Sequence, residues 1–458
     1  MCAKLNKVLN DLLNHRLRCQ FQATVLINLI SISHGIGIGW LSPKLRKEES
    51  HDWQLDFSLS ISEISWMNSE LGLGAVAGNA FMGLMLPWLA MHLWFSWLLI
   101  YLAENDEDFS YVRFLAGISG GCMYIAHPIF ISEISDAKIR GTLATMVMLS
   151  LNIGILFGCI LGRYLDYQTI PLAVIVFPLS YFILTLFLIR NSPVRLIRKR
   201  KFKAAEKSFR YYKNINKNNQ SGEMLEFTQM QHTFTADKHP DERLDKLRMK
   251  DFLTRAAFKA YGSAAVLIIV NQFSGLLAMV NHMSNIFQLS GSSMDPATYT
   301  IILGVIQILG TFATTLLCDK WGRRILLMVS SAGVVFSLTV LGLFEYYLHW
   351  FKISELSWVP LFFMSLYVFL SNIGLVGCFF VVLIEMFPPK VRAIILASSI
   401  SIFICNAFVF LILTYFPYCM NGWQISTTMW SCVGVNAFGF VYFVFFLKET
   451  KGKSMQED

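Results

Sequence analysis

Long apolar runs closed by short polar corners dominate the chain. An α-helix needs about 20 apolar residues to cross the hydrocarbon core of a bilayer. Runs of that length lie at residues 21–41, 111–131, 142–161 and 170–189, and again at 260–282, 299–318, 325–347, 358–384, 394–416 and 427–447. A further stretch, 66–103, is nearly continuous and long enough for two short spans with almost no loop, Pro87 being the natural break. The pattern predicts twelve spans, six before and six after a polar segment at 190–259.

Two of the corners repeat. Residues 131–141 read ISEISDAKIRG, with Glu133 and Arg140 seven positions apart just after an apolar run. Glu385 and Arg392 are also seven apart, again just after an apolar run. Matching corners in two halves of one chain point to a duplicated membrane fold. A third corner, Asp319-Lys320-Trp321-Gly322-Arg323-Arg324, follows the eighth run and predicts a tight hairpin in which Gly322 suits the turn. Its arginines are placed to meet Glu385 or other carboxylates at neighbouring helix ends. Such pairs latch two halves in one state and release them in another. The plainer reading is a basic loop obeying the positive-inside rule.

Composition identifies the solvent. The chain is 55% hydrophobic and only 15% charged, against about 45–50% and 25% for soluble domains, so the runs face lipid. The net charge of +8 is concentrated, with 17 of the 38 Lys and Arg between residues 191 and 259. That clustering predicts a cytoplasmic basic loop rather than a nucleic-acid surface. Within it, 203–212 and 242–258 read as amphipathic helices flanking a Gly/Asn/Gln-rich middle. Residues 104–109 form an acidic outer loop. The nine cysteines sit mostly inside apolar runs and suggest no disulfide framework. The polar, basic first 19 residues lack a signal-peptide core, and with twelve spans both termini are expected in the cytoplasm.

Candidate chemistry is confined to side-chain amides and a few ionisable groups in the apolar runs. Asn271 and Gln272 fall on the seventh run, Gln307 on the eighth and Asn372 on the tenth. An amide in lipid is costly unless paired, so each is either a functional group or interhelical glue. Glu70, His34, His127 and His282 also lie within or near span cores.

Several of these residues, with others, carry a family resemblance. Arg113-Phe114-Leu115-Ala116-Gly117, Glu133 through Arg140-Gly141, Asn271-Gln272-Phe273-Ser274-Gly275, Asp319 through Arg324, Glu385-x-Phe387-Pro388-x-x-x-Arg392 and the tail 449–454 cover nearly the whole chain. The chain resembles the sugar porter family of the major facilitator superfamily, and most of all the insect trehalose and hexose facilitators. The resemblance implies an all-α membrane protein with twelve transmembrane helices in two pseudo-symmetric six-helix bundles, residues 1–190 and 259–458, joined by the basic loop 191–258. It implies sugar hydroxyls held by Asn271, Gln272, Gln307 and Asn372, with Phe380 covering the apolar side of the ring and His282 at the family's aromatic gate position. Arg113, Glu133, Arg140, Asp319, Arg323, Arg324, Glu385 and Arg392 match the positions of the conformational latch.

The chain also departs from the family pattern. Met148 and Leu277 replace two amides, Phe403-Ile404 replaces an Asn-Trp pair, residues 376–380 lack prolines, and the first-half copy of the Asp-x-x-Gly-Arg-Arg corner is missing. These changes predict a more apolar cavity. Gly37 stands where proton-coupled members carry an Asp, which favours a facilitator over a symporter. The expectation is a plasma-membrane, multi-pass transporter of a small neutral solute, a hexose or disaccharide. It has no covalent chemistry, and no cofactor, metal or nucleic-acid partner is expected. The rivals are a carrier of a less polar solute, a proton-coupled sugar symporter and a non-transporting membrane sensor.

Overall fold

In hydrocarbon every backbone N–H and C=O must bond within its own segment, so apolar runs become helices. The computed structural model describes residues 17–40, 61–80, 86–102, 106–136, 139–166, 168–215, 221–235, 255–281, 296–348, 358–387, 396–422 and 425–449. Spans one to five are Arg18–Gly39, Ile61–Ala80, Leu86–Leu102, Asp106–Ile134 and Arg140–Tyr164. The sixth is Thr169–Leu188. Spans seven to nine are Arg255–Gln272 with Leu276–Asn281, Pro296–Trp321 and Arg323–Leu348. The tenth is Trp358–Glu385, and the last two are Leu396–Gly422 and Ile425–Phe445. Among the described residues ten of these are long and apolar enough to cross a membrane by length and composition. The second and third, on either side of residues 81–85, are the exceptions, the third being 17 residues long. The fold is all-α, with twelve spans in two six-helix bundles.

The first bundle is held by glycine seams. Spans one and five run so close that a Cβ on Gly154 would overlap the Ile32 carbonyl and stand 3.0 Å from Gly35 Cα. Spans two and four meet in the same way, with Gly74 and Gly117 facing each other. Without a hydrophobic drive between helices in lipid, such close backbone approach maximises dispersion contact. In the second bundle the ninth span packs on the tenth and twelfth. Spans five and eight, and spans two and eleven, join the two bundles.

The segment after the sixth span starts with two short helices, Pro193–Arg198 and Phe202–Lys213. Ser192 caps the first by accepting a bond from the Arg195 N–H at 3.2 Å. The second is pinned beneath the first and sixth spans: the Tyr212 hydroxyl donates to the Arg190 carbonyl at 2.5 Å, and Gln20 donates to the Tyr212 carbonyl at 3.3 Å. Burial pushes the Tyr212 phenol above its ordinary range.

Two expectations shift, and a third is mostly untested. The helix expected at 203–212 is present, but a further helix, Ser221–Thr235, occupies the Gly/Asn/Gln-rich middle. Its Phe227 packs on Phe209 with ring centroids 5.3 Å apart, so a tertiary contact overrides weak local propensity. The helix expected at 242–258 lies mostly outside the described residues. Asp106 to Phe109, expected in a loop, form the first turn of the fourth span, where acids complement the helix dipole.

Candidate functional site

Two of the spans are interrupted, and the interruptions face each other. The seventh span stops at Gln272 and resumes at Leu276, with Gly275 at φ +79°, a backbone region that side chains disfavour. The Ser274 hydroxyl donates to the Asn271 carbonyl at 2.6 Å, and the Tyr367 hydroxyl of span ten donates to the Ser274 carbonyl at 2.8 Å. Span ten itself widens into a π-turn at Asn372–Val376 before resuming as Phe379–Glu385. A π-turn disturbs the regular helical bonding of its carbonyls. Thr314 of span eight donates to the carbonyls of Asn372 and Ile373 at 2.8 and 2.7 Å. The Leu375 N–H in turn donates to Ser330 of span nine at 3.1 Å. Hydroxyls from two neighbours therefore support a break that no proline makes.

A cavity of about 160 Å³ lies at the junction of the two bundles. Its polar lining comes from both: His34, Arg113, Tyr124 and Asn152 from the first, and Asn271, Gln272, Gln307 and Asn406 from the second. Much of the rest is apolar, and it includes Met148 and Leu277. Asn271 donates to the Leu375 carbonyl at 2.6 Å, so this amide supports the π-turn as well as lining the cavity. The Gln272 amide nitrogen donates to Cys405 Sγ at 2.9 Å and to Asn271 Oδ1 at 3.3 Å. Gln307 lines the cavity and is buried.

The remaining expected site residues are placed differently. Asn372 is not among the lining residues. It is fully buried, donates to the Val368 carbonyl at 2.8 Å and accepts from Asn152 at 3.1 Å, a bond that crosses between the bundles. Phe380 lines the cavity but stacks on Tyr124, with centroids 5.3 Å apart and planes 7° from parallel. One of its faces is therefore covered by the other bundle. Arg113, expected in the latch, lines the cavity and donates to the Gly37 carbonyl at 3.4 Å. His282 and Arg392 lie outside the described residues.

The charged corners meet at one end of the cavity's walls. Arg323 is 3% exposed and donates through Nε and Nη2 to the two Glu385 oxygens, each at 3.1 Å. Its Nη1 stands 3.0 Å from Asp319. The other Asp319 oxygen accepts from the N–H and hydroxyl of Thr142 at 2.7 and 2.8 Å. Thr142 is the third residue of span five, whose own N-cap makes no side-chain bond. A carboxylate from the second bundle thus caps a helix of the first. Arg324 donates to the Phe443 carbonyl at 3.1 Å, and the backbone N–H groups of Arg323 and Arg324 both donate to Glu449 at 3.0 Å. Glu133 accepts from Ser192.

Asn152, Asn406 and Tyr124 escaped the sequence reading. The first two are amides inside apolar runs, so the signal that singled out Gln272 was present for them as well.

Comparison with known proteins bears on this arrangement. The profile of the family described as "Sugar (and other) transporter" matches residues 62–457. The chain is 26% identical over 448 residues to the facilitated trehalose transporter Tret1 of Bombyx mori, covering 96% of this chain and 86% of that protein. It is 26% identical to Tret1 of Aedes aegypti, of which it spans 54%, about half the length. Among solved structures it is similar to the proton:xylose symporter XylE bound to 6-bromo-6-deoxy-D-glucose. The TM-score is 0.76 at 20% identity, with 96% of this chain and 98% of that one covered. At that identity the likeness establishes the major facilitator fold.

Proposed function

We propose a function from one premise: the chain belongs to the sugar transporter family. It is a multi-pass membrane protein of transporters rather than enzymes. Within that frame we read it as a facilitator of a small neutral polyol, a hexose or a disaccharide such as trehalose, working by alternating access. The bodies that rock are residues 1–190 and 259–458, linked by 191–258. The observation that carries this reading is the cavity between the bundles, lined by amides from each. Amides donate and accept, and so match the hydroxyls of an uncharged sugar. No Asp or Glu is among the described lining residues, and this favours passive movement over proton coupling. The Asp319 cap on span five and the Arg323–Glu385 pair form the latch. Arg324 braces the last span against it, and Arg392 is assigned to the latch from its sequence position. Glu133 and Arg140 order the matching corner of the first bundle. The family points to the plasma membrane, and the basic 191–259 segment favours both termini in the cytoplasm.

The test is uptake of labelled glucose and trehalose by purified protein in liposomes, with and without a pH gradient. Flux that follows the sugar gradient and ignores pH is expected. Gln272→Ala should cut it about 3- to 10-fold at unchanged protein level, as expected for one lost hydrogen bond. Kinetics identical to the parent would remove Gln272 from the site. Met148 and Leu277 favour a second reading, a carrier of a less polar solute. Flux of such solutes without sugar flux would establish it, and sugar binding without any flux would identify a sensor.

A further inference from the structure

The segment after the sixth span carries a basic tip on a strained backbone. Residues 192–213 hold nine Lys and Arg and a single acid, Glu206, which pairs with Arg210 at 2.8 Å. Arg198-Lys199-Arg200-Lys201-Phe202-Lys203 spans the turn between the two short helices, and all six residues are exposed. The first helix ends in a Schellman turn. The Lys201 N–H donates to the Leu196 carbonyl at 2.9 Å, and the Arg200 N–H to the Ile197 carbonyl at 2.8 Å. That geometry sets Arg200 at φ +58°, at the position where helices usually carry glycine. A side chain there meets a steric penalty that glycine escapes. The second helix also ends on a left-handed residue, but that one is Asn214, a type that tolerates the conformation. Arg200 thus keeps a cation at the tip against the preference of the backbone. The positive-inside rule asks for cations near a span end, not for one at this position.

The tip is held close to the bilayer. Its first helix begins at Pro193, just after the sixth span ends at Leu188. The second returns to the same place, because the Tyr211 hydroxyl donates to the Leu188 carbonyl at 3.2 Å and the Arg190 guanidinium lies 4.3 Å over the Tyr211 ring. Helix from Phe202 to Tyr211 is roughly 14 Å long, which keeps the tip within roughly 20 Å of the span end. That second helix buries Ala205, Phe209 and Tyr212 on one face and leaves Phe202, Lys203 and Lys207 exposed. An exposed ring among cations beside a membrane matches the headgroup layer, where aromatics settle and phosphates are met.

We propose that this turn is a docking site for the headgroups of anionic phospholipids, with Arg200 and its neighbours on the phosphates and Phe202 in the headgroup layer. It concerns the lipid around the protein rather than the transported solute, so it stands apart from the sugar reading. Stability and lipid binding pull in opposite directions at Arg200, which a purely structural turn residue would not show.

The experiment uses the full chain, purified in detergent. Native mass spectrometry counts bound phosphatidylserine and phosphatidylcholine for the parent, for Arg200→Gly and for the triple variant Lys199→Gln/Lys201→Gln/Lys203→Gln. Thermal midpoints are measured on the same samples. The parent should prefer phosphatidylserine, and the preference should fade as ionic strength is raised to about 0.5 M. Each cation removed should weaken phosphatidylserine binding about fivefold, so the triple variant should lose at least tenfold, with phosphatidylcholine binding unchanged. Arg200→Gly should melt at or above the parent and still lose about fivefold. Three results overturn the proposal. The first is a parent-like preference for phosphatidylserine in both variants, which puts the lipid elsewhere. The second is Arg200→Gly melting below the parent, which removes the strain at the tip. The third is inorganic phosphate or a poly-glutamate peptide binding as tightly as phosphatidylserine and depending on the same residues. That result would make the occupant a free anion or an acidic protein instead of the bilayer.

Discussion

Arg323→Ala is expected to cost about 3–5 kcal/mol, the scale for breaking one side of a buried ion pair, and to lower flux by at least an order of magnitude. The reason is what the guanidinium holds together. It binds both oxygens of Glu385, touches Asp319 and donates to the Cys318 carbonyl at 3.3 Å. Removing it leaves two carboxylates in a poorly hydrated corner with like charge and fewer donors. Asp319 is then no longer held in place to cap span five, and the cross-bundle bond to Thr142 weakens. Both effects act on the state in which this corner is paired, so stability and transport should fall together. Arg323→Lys keeps the charge but not the planar fork, and should restore only part of either. Melting and liposome flux on the three proteins provide the check. Parent-like behaviour in Arg323→Ala would show that the corner is solvated decoration.

Gly154→Val should have an effect of similar size on folding alone. A Cβ there already overlaps the Ile32 carbonyl, so two further carbons require spans one and five to separate along their seam. Overpacking in a tight core costs about 1–3 kcal/mol, occasionally more, and a backbone-on-backbone contact has little room to relax. The expected readout is loss of monodisperse protein by size-exclusion chromatography. Gly262→Ala is the paired control. Nothing lies within 4 Å of the position its Cβ would take, so helix propensity alone should stabilise the protein by about 0.5–1 kcal/mol. A lower melting point for Gly262→Ala, or a well-behaved Gly154→Val, would contradict this account of the packing.

Much of the architecture could be read from the chain because lipid leaves so few options. Run length gives span number, and the repeat of Glu133 and Arg140 at Glu385 and Arg392 announces duplication. The site was less legible. Gln272, Gln307 and Phe380 do reach the cavity, although Gln272 also bonds Cys405 and Phe380 also stacks on Tyr124. Asn372 carries the same signal but is spent on Asn152, a partner 220 positions away that spacing along one helix cannot reveal. Arg113 was assigned to the latch because its motif matches the family's. The fourth helix starts earlier, at Asp106, and carries Arg113 inward to the Gly37 carbonyl. The break in span ten was hidden for a related reason. Its usual signal is proline, whereas here it depends on Thr314 and Ser330, each unremarkable in its own run.

The bond between the Tyr367 hydroxyl and the Ser274 carbonyl ties one interrupted helix to the other. A tether of this kind makes two bends share one motion. Straightening the seventh span at Gly275 must drag on the tenth, whose lower segment ends at Glu385, beside Arg323. A guest arriving at the amides of span seven is therefore wired by a short chain of covalent and hydrogen bonds to the bolt at the far rim. On the facilitator reading proposed above, the second bundle would work as a toggle and the glycine-seamed first bundle as the anvil it closes against.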